Sequence, residues 1–153
     1  MRLIKSLCHV LPLLLILSCA KGGPLTPMES FEEIKRGIDA GDSTAILKHL
    51  SSGSINKIDS LDRMVRQMGD EQLLSLAKAY GCEPASLKKM KRQDYVSLYF
   101  FVKHGREGLA GLFNQQVVTV DVDGPAAIVR VQCGIELGFV REGPYWKLDI
   151  SDL

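Results

Sequence analysis

Between residues 30 and 114, apolar side chains recur every three or four positions; from residue 118 onward they recur every second position. The first period belongs to a helix with one face on a core, the second to a strand with one covered face. Within the helical part, Phe31, Ile34 and Ile38 share a face, and Ser30 with Glu33 has the spacing of a capping box. Gly41 ends that helix. Asp42 is placed to cap the next, whose apolar side is Ile46, Leu47 and Leu50, and Ser51, Ser52 and Gly53 break it. Ile55, Ile58, Leu61, Met64, Val65 and Met68 then keep helical spacing as far as Gly69. A helix from Asp70 carries Leu73, Leu74, Leu76 and Ala77 and stops at Gly81, and Pro84 suits the first turn of a short helix through Met90. Residues 94–103 are apolar almost all round, which predicts a helix buried on several sides, although the same aromatic content would suit a strand. Leu109, Leu112 and Phe113 make a last turn.

In the alternating part, Val118, Val120 and Val122 flank Thr119 and Asp121, and residues 123–125 (Asp-Gly-Pro) make a turn. Ala127, Val129, Val131 and Cys133 follow, then Ile135, Leu137 and Phe139, a second Gly-Pro turn at Gly143 and Pro144, and Trp146, Leu148 and Ile150. Four strands with short connections predict an antiparallel meander with one face buried. Helices first and strands last give an α+β fold, N-terminal helices packed on a C-terminal four-stranded antiparallel meander, as one domain over residues 30–153.

The start of the chain has neither period. Arg2 and Lys5 precede an apolar run over residues 7–17, and Ser18 and Cys19 follow it. That order is an export signal ending in a lipobox, the mark of a bacterial lipoprotein, with residues 1–18 removed. The run is half the roughly twenty apolar residues a membrane-crossing helix needs, and it contains Pro12. Cys19 is then expected to become the first mature residue and to carry acyl chains; at about 0.8 kcal/mol per buried methylene, two or three chains hold a soluble domain on a membrane. Two other readings fit the same residues: cleavage after Ala20, releasing a periplasmic or secreted protein, or retention of the run as an anchor. Ala20 stands where an aspartate would resemble an inner-membrane retention signal, so the expected address is the cell envelope, with the outer membrane favoured. Residues 19–29, with two glycines, two prolines and little to bury, read as a tether.

Loss of residues 1–18 takes Arg2 and Lys5 and leaves 135 residues, in which 17 basic side chains face 18 acidic ones, a net charge of −1. Near-neutrality argues against bulk nucleic-acid binding. Cys8 leaves with the signal, so Cys82 and Cys133 are the remaining thiols in an oxidising compartment. They either pair as a disulfide or stay separate as small apolar residues, according to whether their Cα atoms fall about 4.4–6.8 Å apart.

Residues 120–131 and 138–149, a valine-rich strand, its Asp-Gly-Pro turn, and a last hairpin bearing Trp146 and Lys147, resemble the closing strands of the nuclear transport factor 2-like superfamily. More narrowly, they resemble small bacterial lipoproteins of unknown function with that fold. The resemblance implies a cone, a curved sheet wrapped around helices, which in some members encloses an apolar pocket. The paired acid and tyrosine of the isomerase members have no match position by position, so no catalytic residue is carried over.

Residues with chemical potential are few. His49 and His104 lie on separate elements with no cysteine or carboxylate at ligand spacing, so no metal site is expected. Neither a glycine-rich phosphate loop nor a nucleophile elbow appears, and no cofactor is expected. Asp94 with Tyr95 and Tyr99 would supply a pocket with a base and hydrogen-bond donors; equally, Asp94 would cap a helix and the tyrosines would be core aromatics. Trp146 would line a pocket or anchor the core. Lys88, Lys89, Lys91 and Arg92 would meet anionic headgroups or an acidic partner, or form a solvated helix face. A non-enzymatic binding module held at a membrane, engaging an envelope protein, leads. A carrier of a small apolar ligand in a cone pocket and an isomerase-like or hydrolytic enzyme stand behind it. An open or a filled space between sheet and helices separates them.

Overall fold

A computed structural model describes residues 23–101 and 108–152. Among them, α1 (Pro27–Asp39), α2 (Ser43–Leu47), α3 (Ser52–Gln67), α4 (Asp70–Tyr80), α5 (Pro84–Leu87), α6 (Arg92–Phe101) and α7 (Leu109–Phe113) precede β1 (Val117–Asp123), β2 (Ala126–Val131), β3 (Glu136–Glu142) and β4 (Tyr145–Asp149). The strands form one antiparallel sheet in the order β1-β2-β3-β4. The α+β meander expected from the change of period is what the chain builds. No helix among the described residues is long and apolar enough to cross a membrane.

Local chemistry sets the helix boundaries, in places against expectation. The capping box is Thr26 with Glu29, not Ser30 with Glu33. The Thr26 hydroxyl accepts from the Glu29 N–H at 3.1 Å, and the Glu29 carboxylate accepts from the Leu25 and Thr26 N–H groups at 2.7 and 3.1 Å. Both pairs have the required spacing, but Pro27 belongs in a first turn, and Ser30 is a fully buried residue inside α1 whose hydroxyl finds no partner. Residues 27–29, read as tether, are therefore part of the domain. Residues just upstream also dock: the Trp146 N–H donates to the Pro24 carbonyl at 2.9 Å, and Gly23 lies against the ring of Tyr145.

Asp42 caps α2 as expected, accepting from the Thr44 and Ala45 N–H groups at 3.0 and 2.9 Å. Leu50 does not stay on that helix. It forms a parallel bridge with Leu148, whose N–H donates to the His49 carbonyl and whose carbonyl accepts from the Ser51 N–H, both at 2.8 Å, covering the β4 edge. Ser51 stands between helices, as expected, and caps α3, whereas Ser52 and Gly53, expected to share in the break, fall inside α3. The Ser51 hydroxyl accepts from the Ser54 N–H and donates to Asp149 Oδ1, each at 2.9 Å, while the Ser54 hydroxyl accepts from the Ile150 N–H at 2.8 Å. Burial opposes ionisation of Asp149, but hydrogen bonds from Ser151, Ser51 and Ser54 outweigh it and hold its carboxyl below the usual range.

Gly81 ends α4 in the left-handed conformation, with φ +65°. α5 stops at Leu87, short of Met90, and α6 is a helix that starts two residues before Asp94. It buries Tyr95, Val96 and Phe100 and packs against α2, α3 and α7, so it is covered on several sides as expected, with Phe101 left exposed. Val102 and Lys103 lie outside the described residues. The two strand turns at Gly124 and Gly143 have φ +56° and +61°, each followed by proline. That is the order a two-residue II′ hairpin needs: positive φ first, then a fixed negative φ.

α1 and α3 lie over β4, and α1 also lies over β2. Phe31, Phe113 and Phe100 stack from α1 through α7 to α6, with ring centroids 4.8 and 6.0 Å apart. Against them the inner face of the sheet buries Val129, Val131, Leu137, Phe139 and Leu148 almost completely. The space between the sheet and these helices is filled with side chains. Coverage fails only toward β1. Register places Val122, Ala127, Phe139 and Leu148 in one inward row, and their exposures run 56%, 3%, 1% and 0%. Val120, in the row with Val129 and Leu137, is likewise open. The buried valine face expected for β1 is thus uncovered, and a bulge between Val117 and Thr119 shifts its register. Cys133 and Ile135, expected to continue the inward alternation, sit exposed in the connection between β2 and β3.

Candidate functional site

The apolar hollow of the molecule lies among helices, away from the sheet. α3 contributes Leu61, Met64 and Val65, and Met68 follows at its end. α4 adds Leu76 and Tyr80, α5 adds Leu87, and α6 adds Tyr95, Leu98 and Tyr99, around a cavity of about 270 Å³. Spacing explains the grouping: residues 61, 64, 65 and 68 run down one face of α3, 76 and 80 down α4, and 95, 98 and 99 down α6. Val65, Leu87 and Tyr95 are buried and make the floor, while Met64 is half exposed at the rim.

A polar clamp outside the hollow fixes α3 to α6. Arg92 donates to both oxygens of Asp59, at 2.7 and 2.8 Å, in the bidentate geometry guanidinium favours. Arg66 donates to Asp62 at 2.8 Å and to the carbonyls of Lys88 and Met90 at 3.0 and 3.4 Å, and the Tyr95 hydroxyl donates to Asp62 at 3.2 Å. Hydrogen bonds from Arg92 and Arg66 hold the carboxyls of Asp59 and Asp62 below the usual range. Burial, then the Asp62 charge, pushes the Tyr95 phenol up to about 12. The Tyr99 phenol is also raised, by burial first and then by neighbouring Tyr80. Both phenols therefore stay protonated at neutral pH and act as hydrogen-bonding groups.

Of the residues singled out from the sequence, Tyr95 and Tyr99 reach this cavity and Asp94 and Trp146 do not. Asp94 accepts the Lys91 N–H at 2.7 Å, one turn back, which is a helix-capping contact. Trp146 is 5% exposed in the sheet core. Cys82, after α4, and Cys133 are both free, so no disulfide joins them. In the basic cluster Lys89 and Lys91 face solvent, while Arg92 is held by Asp59. His49 is half buried with its Nδ1 unpartnered. Burial and then the charge of Lys147 lower its pKa. Cys19 and His104 lie outside the described residues. No group of three or more His, Cys, Asp or Glu is placed to hold a metal among the described residues.

Sequence reasoning missed the walls Leu61, Met64, Met68, Leu76, Tyr80 and Leu98. Their helical spacing identified apolar faces, but a gap between facing helices leaves no mark in any one of them. It also missed that Val120 and Val122 lack a cover. Neither protein-family models, nor curated proteins, nor solved structures contain a match to the chain.

Proposed function

We propose that this protein is a lipid-anchored, non-enzymatic binding module of the bacterial cell envelope, held on a membrane through Cys19 and engaging an extended apolar segment of another envelope protein along β1. The observation that carries the reading is the row Val122, Ala127, Phe139, Leu148, buried at three positions and open at the fourth. β1 is also an edge strand, and an extended segment laid beside it would gain main-chain hydrogen bonds while covering Val120 and Val122. The opposite edge, β4, is already occupied by residues 49–51 and Pro24. The carboxylates Asp59, Asp62 and Asp149 are each engaged in contacts that tie elements together, and Asp94 caps its own helix, which favours a structural role for them over proton transfer. The order of helices before a four-stranded meander supports a relationship to the nuclear transport factor 2-like superfamily, with the cone filled.

Two experiments test this. Labelled palmitate should enter the wild-type protein and not Cys19→Ser, and the variant should leave the membrane fraction; no label on the wild type removes the anchor. A photo-crosslinking residue at position 122 should give one adduct of defined mass in cells, absent when the probe replaces exposed Glu71. No adduct, or the same adducts at both positions, removes β1 as the binding edge.

A further inference from the structure

The hollow between α3, α4, α5 and α6 carries an inference that the reading of β1 does not use. Its volume of about 270 Å³ is well above the roughly 150 Å³ of an apolar cavity that accepts benzene. Its lining is aromatic and thioether rather than purely aliphatic: Tyr80, Tyr95 and Tyr99 present rings, and Met64 and Met68 present sulfur. Rings and thioethers gain from an aromatic guest through edge, face and sulfur contacts, which an alkyl chain does not supply. The Tyr95 hydroxyl is turned to Asp62, leaving its ring as floor. Tyr80 and Tyr99 both line the cavity and are the residues, with Tyr95, that bring a hydroxyl to an otherwise greasy wall. At the mouth stands Met64, half exposed, unbranched and able to move aside.

We propose that this cavity binds a planar two-ring aromatic molecule of about ten to fourteen heavy atoms with one hydrogen-bonding substituent, set between Met68 and Leu76 on one side and Tyr99 on the other. The substituent meets the Tyr80 and Tyr99 hydroxyls, and the rings rest on Tyr95. Selectivity over an acyl chain of equal volume comes from the aromatic lining.

Titration of 2-naphthol into the full chain carrying 13C-methyl methionine tests this. Saturable shifts are expected for the Met64 and Met68 methyls, with Met28 and Met90, which do not line the cavity, staying in place. Leu76→Trp, which fills the space, should weaken binding at least tenfold. Met64→Lys at the exposed rim should weaken it several-fold in a protein whose fold it does not threaten. Decanoate should bind at least tenfold more weakly than 2-naphthol. Shifts at Met28 and Met90 as large as those at Met64 and Met68, no shift at any of them, unchanged affinity in both variants, or decanoate binding as tightly as 2-naphthol would each overturn the proposal.

Discussion

Leu148 and Leu76 are the same residue in two apolar layers of one small domain, and the layers finish differently. Leu148 is completely buried between the sheet and α1, where side chains from both sides meet. Leu76 is half-buried and faces a gap that α3, α4 and α6 leave between them. The first layer is closed by hydrogen bonds that fix it from several directions: the Leu148 backbone to residues 49 and 51, and Ser51 and Ser54 to Asp149. In the second, α3 is clamped to α6 through Asp59 and Asp62, and to the connection before α6 through Arg66. α4 faces them across the cavity, with Leu76 and Tyr80 among its lining. Tight polar closure goes with filled space here, and looser closure with a cavity.

That contrast gives one substitution two sizes. Leu148→Ala should cost about 3–5 kcal/mol of unfolding free energy and Leu76→Ala about 1 kcal/mol or less, since the second removes atoms that already border open space. Urea denaturation of both variants checks it, and equal losses would erase the distinction. Ser54→Ala should come next, at about 1–3 kcal/mol, because it leaves the Ile150 N–H and the Asp149 carboxylate short of a buried partner. The same denaturation series reads it.

A smaller effect is set by pH. The folded chain binds a proton at His49 less readily than the unfolded chain, because burial and Lys147, whose ammonium donates to the Lys48 carbonyl, disfavour the charged ring. The unfolded state therefore takes up the proton first, and stability should decline as pH falls below about 6.5, levelling once the folded ring is also protonated. His49→Gln should flatten that decline between pH 7 and 5 in thermal melts, and an unchanged slope would show that the ring is not strained by its site. Smallest of all, Val122→Thr should change stability by no more than about 0.5 kcal/mol, despite lying in the row of Phe139 and Leu148. A loss like that of Leu148→Ala would mean that β1 is covered after all.

What the sequence disclosed follows from the range of the forces involved. Asp42, Gly81, Gly124 and Gly143 act within a turn of their own position, and the chain behaves there as its residues indicate. Thr26 and Ser30 are both followed three residues later by glutamate, and local pattern cannot rank them. The burial of Ser30 decides, and burial is a property of the whole fold. Tyr95 and Tyr99, four residues apart, reach the cavity together; Asp94, one residue and about 100° away, turns back to cap its own helix. The valines of β1 show the same limit. Alternation reveals that Val120 and Val122 share a face, but whether a helix lies over that face depends on where α1 and α3 settle, more than fifty residues away in the chain.

The hydrogen bond from Trp146 to Pro24 would have a mechanical meaning under the proposed mooring through Cys19. With Gly23 and Pro24 seated on β4, only four residue steps separate them from Cys19, a reach of at most about 15 Å. A thiol acylated there would give the globule a very short mooring line, keep β4 and the start of α1 down among the headgroups, and turn the opposite rim of the sheet, three strand spacings or about 14 Å across, toward whatever swims past.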